Sequence, residues 1–169
     1  MKLLFISHTF PFPPNEGTKL AVYNLVKEFA KLHYVDLLSF IEVNEKQYIS
    51  EISKFCKIYL VEKNFNKGFL HRILLTFLNK LPYNVIQFFD KRFYRILDEL
   101  LLKNQYDIVL FSFLTTSYYS SFFAKRVPFI LHYYDAMSML FYRNFLNEKK
   151  LFKKFYWYFQ YKKLLKYEN

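Results

Sequence analysis

Three short and almost wholly apolar runs, KLLFIS at 2–7, YVDLLSF at 34–40 and KIYLV at 57–61, alternate with two segments of helical character. Each run is continuous rather than alternating, the pattern of a strand buried on both faces of a parallel sheet. Between the first two, Val22, Leu25, Val26 and Phe29 recur at helical spacing while Lys19, Glu28 and Lys31 fall outside the stripe. A second helix is expected over 45–55. A βαβαβ order requires right-handed crossovers and hence parallel strands. The strand pattern resumes in YDIVLFSF at 106–113 and PFILHYYD at 128–135, separated by TTSYYSSFFAKR, read as a short helix capped by its leading hydroxyls. Residues 66–104 read as a helical excursion broken at LPYN (81–84), and from Ala136 the pattern is helical throughout. Two glycines and five prolines leave little material for an all-β fold with many tight turns. The expected fold is α/β, a Rossmann-like doubly wound parallel sheet in one domain spanning 1–169, with strands at 3–6, 35–40, 58–61, 108–112 and 129–133.

The proline-rich stretch PFPPNEGT follows the first strand and holds Gly17, one of the two glycines. Open α/β sheets bind ligands beyond the carboxyl ends of their strands, and a helix N-terminus attracts anions. Gly17 therefore marks a candidate phosphate or acceptor loop, with Thr18 as the expected helix cap. The spacing is neither a dinucleotide fingerprint nor a P-loop. His8, His33, His71 and His132 share no metal-ligand spacing with Cys56 or the carboxylates, so no metal is expected. No hydrolase nucleophile elbow occurs. Basic and aromatic residues interleave without any nucleic-acid-binding signature, so no nucleic-acid partner is expected. The lone Cys56 reads as a buried, inert thiol, and LLFIS is too short for an export signal, which makes the cytoplasm the expected compartment.

The order KLLFIS…PFPPNEGTKLAVYNLVKEFAKLHYVDLLSF, followed by YDIVLFSF and PFILHYYDAMSMLFYR, resembles the N-terminal domain of family 4 glycosyltransferases of the GT-B type. His33 and Val35 match that family's His-x-Val strand, and Asp135, Ser138 and Arg143 match the Asp, Ser and Arg around its fifth strand. Thr18 stands where the family has a second glycine, and Tyr134 where it has a histidine, with His132 two residues earlier. The family's paired glutamates are absent. The resemblance implies transfer of a sugar from a nucleotide-sugar donor to a glycan or lipid-linked acceptor, without metal or other cofactor. It assigns Asp135 and His132 to catalysis, Gly17 and Thr18 to the donor-phosphate or acceptor loop, and Ser138 and Arg143 to the acceptor cleft. It also implies that the chain stops before the nucleotide-sugar-binding domain, so that a separate C-terminal-domain polypeptide would be needed for activity. The alternative is a non-enzymatic or degenerate module that binds a membrane surface or a partner subunit.

The balance of 25 Lys+Arg against 14 Asp+Glu, net +11, favours anionic partners. In EKKLFKKFYWYFQYKKLLKYE, residues Leu151, Phe152, Phe155, Tyr158 and Phe159 share one helical face, and Lys149, Lys150, Lys153 and Lys154 surround its start. That face either packs on the domain or lies on an anionic membrane, at the inner face of the cell membrane. If the helix runs on, Lys162 and Lys166 return to the apolar side.

Overall fold

The structure is a computed structural model that describes residues 1–64, 68–123 and 126–168. Five strands form one all-parallel sheet: β1 (Lys2–Ser7), β2 (Tyr34–Ile41), β3 (Lys57–Glu62), β4 (Ile108–Ser112) and β5 (Phe129–His132), in the order β3-β2-β1-β4-β5. This is a Rossmann-like α/β sheet flanked by helices. The apolar runs become strands because both of their faces are covered: in β1 every residue after Lys2 is buried, and in β2 every residue after Tyr34.

The chain forms two compact units. The first, residues 1–64 and 89–132, holds the sheet. On one face α1 (Gly17–Ala30) buries Val22 and Val26 against Leu3, Phe5, Val35 and Leu37, with Ile108 and Leu110 packed alongside. On the other, Phe40 stacks on Phe93 of α5 (Lys91–Lys103) with ring centroids 4.4 Å apart, and Phe93 meets Tyr119 at 4.9 Å. Asp90 caps α5 by accepting from the Arg92 amide at 2.8 Å, and the Tyr119 hydroxyl accepts from the Asp90 amide at 2.9 Å. At the amino edge of the sheet the Tyr106 hydroxyl donates to Asp36 Oδ2 at 2.5 Å, both residues being buried.

Two helical expectations in this unit change form. The segment expected as one helix over 45–55 divides into a 3-10 turn (Val43–Tyr48) and the short α2 (Ile49–Ser53). There Glu45 accepts from the Glu42 amide at 2.8 Å and pairs with Lys19 at 2.9 Å, so a buried carboxylate ties the turn to α1. The stretch after β4 is a 3-10 helix (Leu114–Phe122) with no side-chain cap. Its hydroxyls bond carbonyls instead: Thr116 to Ser112 at 3.0 Å, Ser117 to Leu114 at 2.7 Å and Ser120 to Ser117 at 2.7 Å. Short hydroxyl side chains compete for the backbone in this way, which explains why they did not cap. Ala124 and Lys125 of the expected helix, and Asn66 and Lys67 of the expected excursion, lie outside the described residues.

The second unit, residues 65–88 and 133–169, is helical: α3 (Phe69–Leu78), the single turn α4 (Tyr83–Ile86), α6 (Met137–Asn147) and α7 (Leu151–Glu168). α6 and α7 form an antiparallel pair. Phe145 meets Tyr158 at 5.4 Å and Phe141 meets Trp157 at 5.2 Å, while at the far end the amide of Ser138 donates to Glu168 at 3.0 Å.

Tyr106→Phe removes the donor from a buried carboxylate. It should lower stability by about 2 kcal/mol, the scale of a hydrogen bond to a charged group. A urea midpoint unchanged from wild type would show that Asp36 finds another partner.

Candidate functional site

The carboxyl edge of the sheet collects an unusual row. Register places Ser39 of β2 beside Ser7 of β1, Ser7 beside Ser112 of β4, and Ser112 beside His132 of β5. All three serines are completely buried. Ser7 Oγ donates to the Thr9 carbonyl at 2.8 Å and Ser39 Oγ to the Phe40 carbonyl at 2.8 Å, whereas the Ser112 hydroxyl has no hydrogen-bond partner among the described residues. Leaving such a hydroxyl unpaired costs about 1–3 kcal/mol. The sequence carries a signal for this row: Phe5-Ile6-Ser7, Leu37-Leu38-Ser39 and Leu110-Phe111-Ser112 each end an apolar run on a serine.

Directly after Ser112, Phe113 has φ 77° and ψ 146°. Positive φ for a bulky residue costs of order 1–3 kcal/mol and persists only where the surroundings impose it. Here its amide donates to the His132 carbonyl at 2.9 Å and its buried ring lies 4.3 Å from His8, edge to face. His8 follows β1, is half-buried, and its Nδ1 shares a hydrogen bond of 2.9 Å with Thr115 Oγ1. Desolvation by burial lowers its pKa to about 3, so the imidazole is neutral at pH 7. In the order β3-β2-β1-β4-β5, the progress of the chain across the parallel sheet reverses between β1 and β4, the place where open α/β sheets bind ligands.

Gly17 opens α1 at this same edge, as expected from the sequence. The expected cap is corrected: Glu16 is the N-cap residue, no side chain caps the helix, and Thr18 sits inside the first turn, exposed. The first intrahelical bond runs from the Leu20 amide to the Glu16 carbonyl at 2.8 Å, so the amides of Gly17, Thr18 and Lys19 precede the ladder. A Cβ added at Gly17 would meet nothing within 4 Å. The glycine therefore answers no steric need of the protein itself.

The remaining candidates fall differently. His132 ends β5 in the sheet unit. Asp135, Ser138 and Arg143 belong to the helical unit, Asp135 exposed in the bend before α6 and Arg143 exposed on α6. Ser138 is buried, and its hydroxyl is bound to Glu168, which gives it a structural task at the start of α6. A cavity of about 910 Å³ lies at the amino ends of β1–β3, beside Asp36, Cys56 and His33. It sits at the edge opposite the switch point, and its carboxylate is already taken by Tyr106. Burial with Asp36 nearby pushes the Cys56 thiol up to about 12, which makes it unreactive. Among the described residues no three side chains of metal-ligating type converge.

The helical unit presents the second notable surface. α7 is one continuous helix whose buried residues are Tyr156, Gln160 and Leu164. Phe152, Phe155 and Phe159 are 63%, 61% and 41% exposed. α3 likewise turns Leu70, Leu74, Phe77 and Leu78 outward and buries Thr76. The Phe77 and Phe159 rings, 5.2 Å apart, join the two stripes. A polar clamp holds this inside-out arrangement. Gln160 accepts from the Tyr83 amide at 3.1 Å and donates to Thr76 Oγ1, while the Lys163 amine binds the carbonyls of Thr76 and Asn79 at the end of α3. Burial lowers the Lys163 pKa. Lys149, Lys150 and Lys153 are exposed, as are Lys162 and Lys166 on the outward side of α7, and Lys154 lies over the Phe145 ring at 5.3 Å. Among the described residues no helix is long and apolar enough to cross a membrane.

No family model matches this chain. No curated protein matches it either. Among solved structures it is similar to the C-terminal domain of a hydrogenase from Pyrococcus furiosus, at 16% identity and a TM-score of 0.43, over 77% of this chain and 89% of that one. The expected membership of the family 4 glycosyltransferases is thereby corrected, since no family model and no curated protein supports it. The motifs that carried the resemblance have sufficient causes in the sheet: PFPPNEGT is the loop from β1 to α1, VYNLVKEFAK supplies Val22 and Val26 to the core, and VDLLSF is β2. Sugar transfer from a nucleotide-sugar donor rested on that resemblance, and no residue geometry described above carries it.

The neutral His8 yields a signed prediction. Its folded pKa of about 3 lies below the unfolded value near 6.5, so the unfolded chain takes up the proton first on acidification. The contribution is complete above pH 6.5 and is lost as pH falls from there towards 3. His8→Asn, which retains an acceptor for Thr115, should flatten the decline of melting temperature across that window. An acid profile identical to wild type would show that His8 is not the titrating group.

Proposed function

We propose that the chain is a peripheral membrane protein that attaches to an anionic leaflet, such as the inner face of a cell membrane, through the helical unit. The observation that supports this reading is the outward aromatic and aliphatic face of α7 and α3, set among exposed lysines. Soluble proteins seldom leave so many large apolar side chains contiguous on a surface. Inserting an aromatic side chain contributes about 1.5–3 kcal/mol, and each lysine near anionic headgroups about 1 kcal/mol. Neither set alone gives firm attachment, and the two together do. Lys162 and Lys166, one and two turns beyond Phe159 on the same side, reach headgroups by extending their stems past the apolar turn. Charge complementarity selects the bilayer over a neutral apolar partner.

Co-sedimentation with phosphatidylcholine vesicles, with and without phosphatidylglycerol, tests the proposal. Wild type should bind only the anionic vesicles and be partly released by high salt, which screens the lysines but not the inserted rings. Changing Lys149, Lys150, Lys153 and Lys154 together to Glu should weaken binding at least about tenfold, from the loss of lysine attraction. Phe155→Ser should also weaken it while leaving the fold intact, because that ring is largely exposed. Equal binding to both vesicle types, no binding to either, or unfolding by Phe155→Ser would contradict the proposal. Self-association that Phe155→Ser abolishes, without vesicle binding, would instead make the face an interface between copies.

A further inference from the structure

We infer that the free edge of β3, together with the face of α5 beside it, binds an extended acidic segment of another polypeptide, which joins the sheet as an added strand. Every residue of this site belongs to the sheet unit, so it is independent of the membrane surface.

The backbone sets the geometry. β3 is an outer strand of the order β3-β2-β1-β4-β5, with β2 as its neighbour. The amide of Lys63 donates to the Ile41 carbonyl at 3.0 Å, so the odd-numbered residues of β3 turn their backbone groups towards β2. Bonding direction alternates along a strand, which turns those of Ile58, Leu60 and Glu62 outward. The Arg92 guanidinium closes off the Glu62 carbonyl at 2.9 Å. Among the described residues nothing bonds the outward amides and carbonyls of Ile58 and Leu60.

These groups border a groove rather than a flat surface. A cavity of about 580 Å³ lies between residues 57–60 and α5, whose Ile96, Glu99, Leu100 and Lys103 recur at helical spacing and form its second wall. At a sheet edge backed by a helix, an added peptide gains main-chain hydrogen bonds from the strand and pockets for alternate side chains from the helix.

Charge selects the occupant. Lys57 lines this groove and also the cavity at the amino ends of β1–β3, where Lys31 and Lys54 stand. Its ammonium lies over the Tyr59 ring at 5.3 Å and has no carboxylate partner among the described residues. Lysine on an edge discourages pairing with ordinary apolar strands, but it favours a strand that brings a carboxylate opposite. A second copy of this chain fits badly. The antiparallel register that joins all three outward residues, centred on Leu60, sets Lys57 of one copy opposite Lys63 of the other. The occupant is accordingly a segment that alternates apolar residues, seated against Ile96, with Asp or Glu beside Lys57.

A display library of random heptapeptides, selected on the full chain without lipid, tests the inference. Enriched sequences should combine alternating apolar residues with Asp or Glu, and a synthetic peptide of enriched sequence should bind saturably. Methylating one alternating set of its backbone amides should weaken binding at least about tenfold, the scale of two lost hydrogen bonds, while methylating the other set should not. Lys57→Glu changes an exposed side chain, so it should melt at the wild-type temperature and bind the peptide at least about tenfold more weakly, the scale of a charge-assisted contact. No enrichment, equal effects of the two methylated sets, or wild-type affinity in Lys57→Glu would overturn the inference. Binding to anionic vesicles should be unchanged by the peptide, which separates this result from that of the membrane proposal.

Discussion

Hydrogen bonding of β1 on both sides, to β2 and to β4, is the constraint from which the sheet unit follows. A strand so placed has no free edge and no solvent face, so only a continuous apolar run can occupy it, and Leu3 to Ile6 is such a run. With parallel neighbours on both sides, each connection must cross over a face, and the loops that begin those crossovers gather at the carboxyl edge. The row of serines, the turn at Phe113 and the start of α1 share that edge because of this one arrangement. The strain at Phe113 and the unsatisfied Ser112 are adjacent costs at that edge.

The helical unit obeys a different rule. Burying Gln160 instead of a phenylalanine fixes which side of α7 faces inward, because an amide placed among Thr76 and the Tyr83 amide finds partners that an aromatic ring would leave unpaired. Lys163 adds to this by satisfying the last carbonyls of α3. The consequence is that the aromatic stripe of α7 and the leucines of α3 face away from the unit's own interior. Aromatic contacts still join α6 and α7, through Phe141 with Trp157 and Tyr142 with Tyr161 at 5.1 Å. The exposed stripe is thus a surplus over what the pair needs to hold together.

The strands were legible because each is a short, mostly apolar run, buried on both faces in β1 and β2, and the five observed strands fall within about one residue of the expected bounds. The carboxyl-edge position of Gly17 followed from the same reading. The serine row was not assembled, because it exists only through register between segments far apart in the chain. Phe113 carries no local signal either, since FSFLTTS has no glycine to announce a positive φ. Thr18 was expected to cap by residue type, yet Glu16 is the N-cap residue and Thr18 lies two positions further inside. Periodicity identified the apolar face of α7 correctly but left its direction open, and only the partners of Gln160 decide it. The resemblance to a glycosyltransferase family drew on short motifs that β1, α1 and β2 account for by themselves, and no family model supports it.

Trp157, the single tryptophan of the chain, packs on Phe141 of α6 on the side of α7 away from Phe152, Phe155 and Phe159, so the direct reporter of bilayer entry is a tryptophan moved to the apolar face by Trp157→Phe with Phe155→Trp. The fluorescence of that double variant should be measured with vesicles whose phosphatidylglycerol carries brominated acyl chains. The account predicts quenching by these vesicles, little by brominated phosphatidylcholine vesicles, and a retained fraction of the quenching at high salt. An emission indifferent to brominated anionic lipid at saturating vesicle concentration would contradict it.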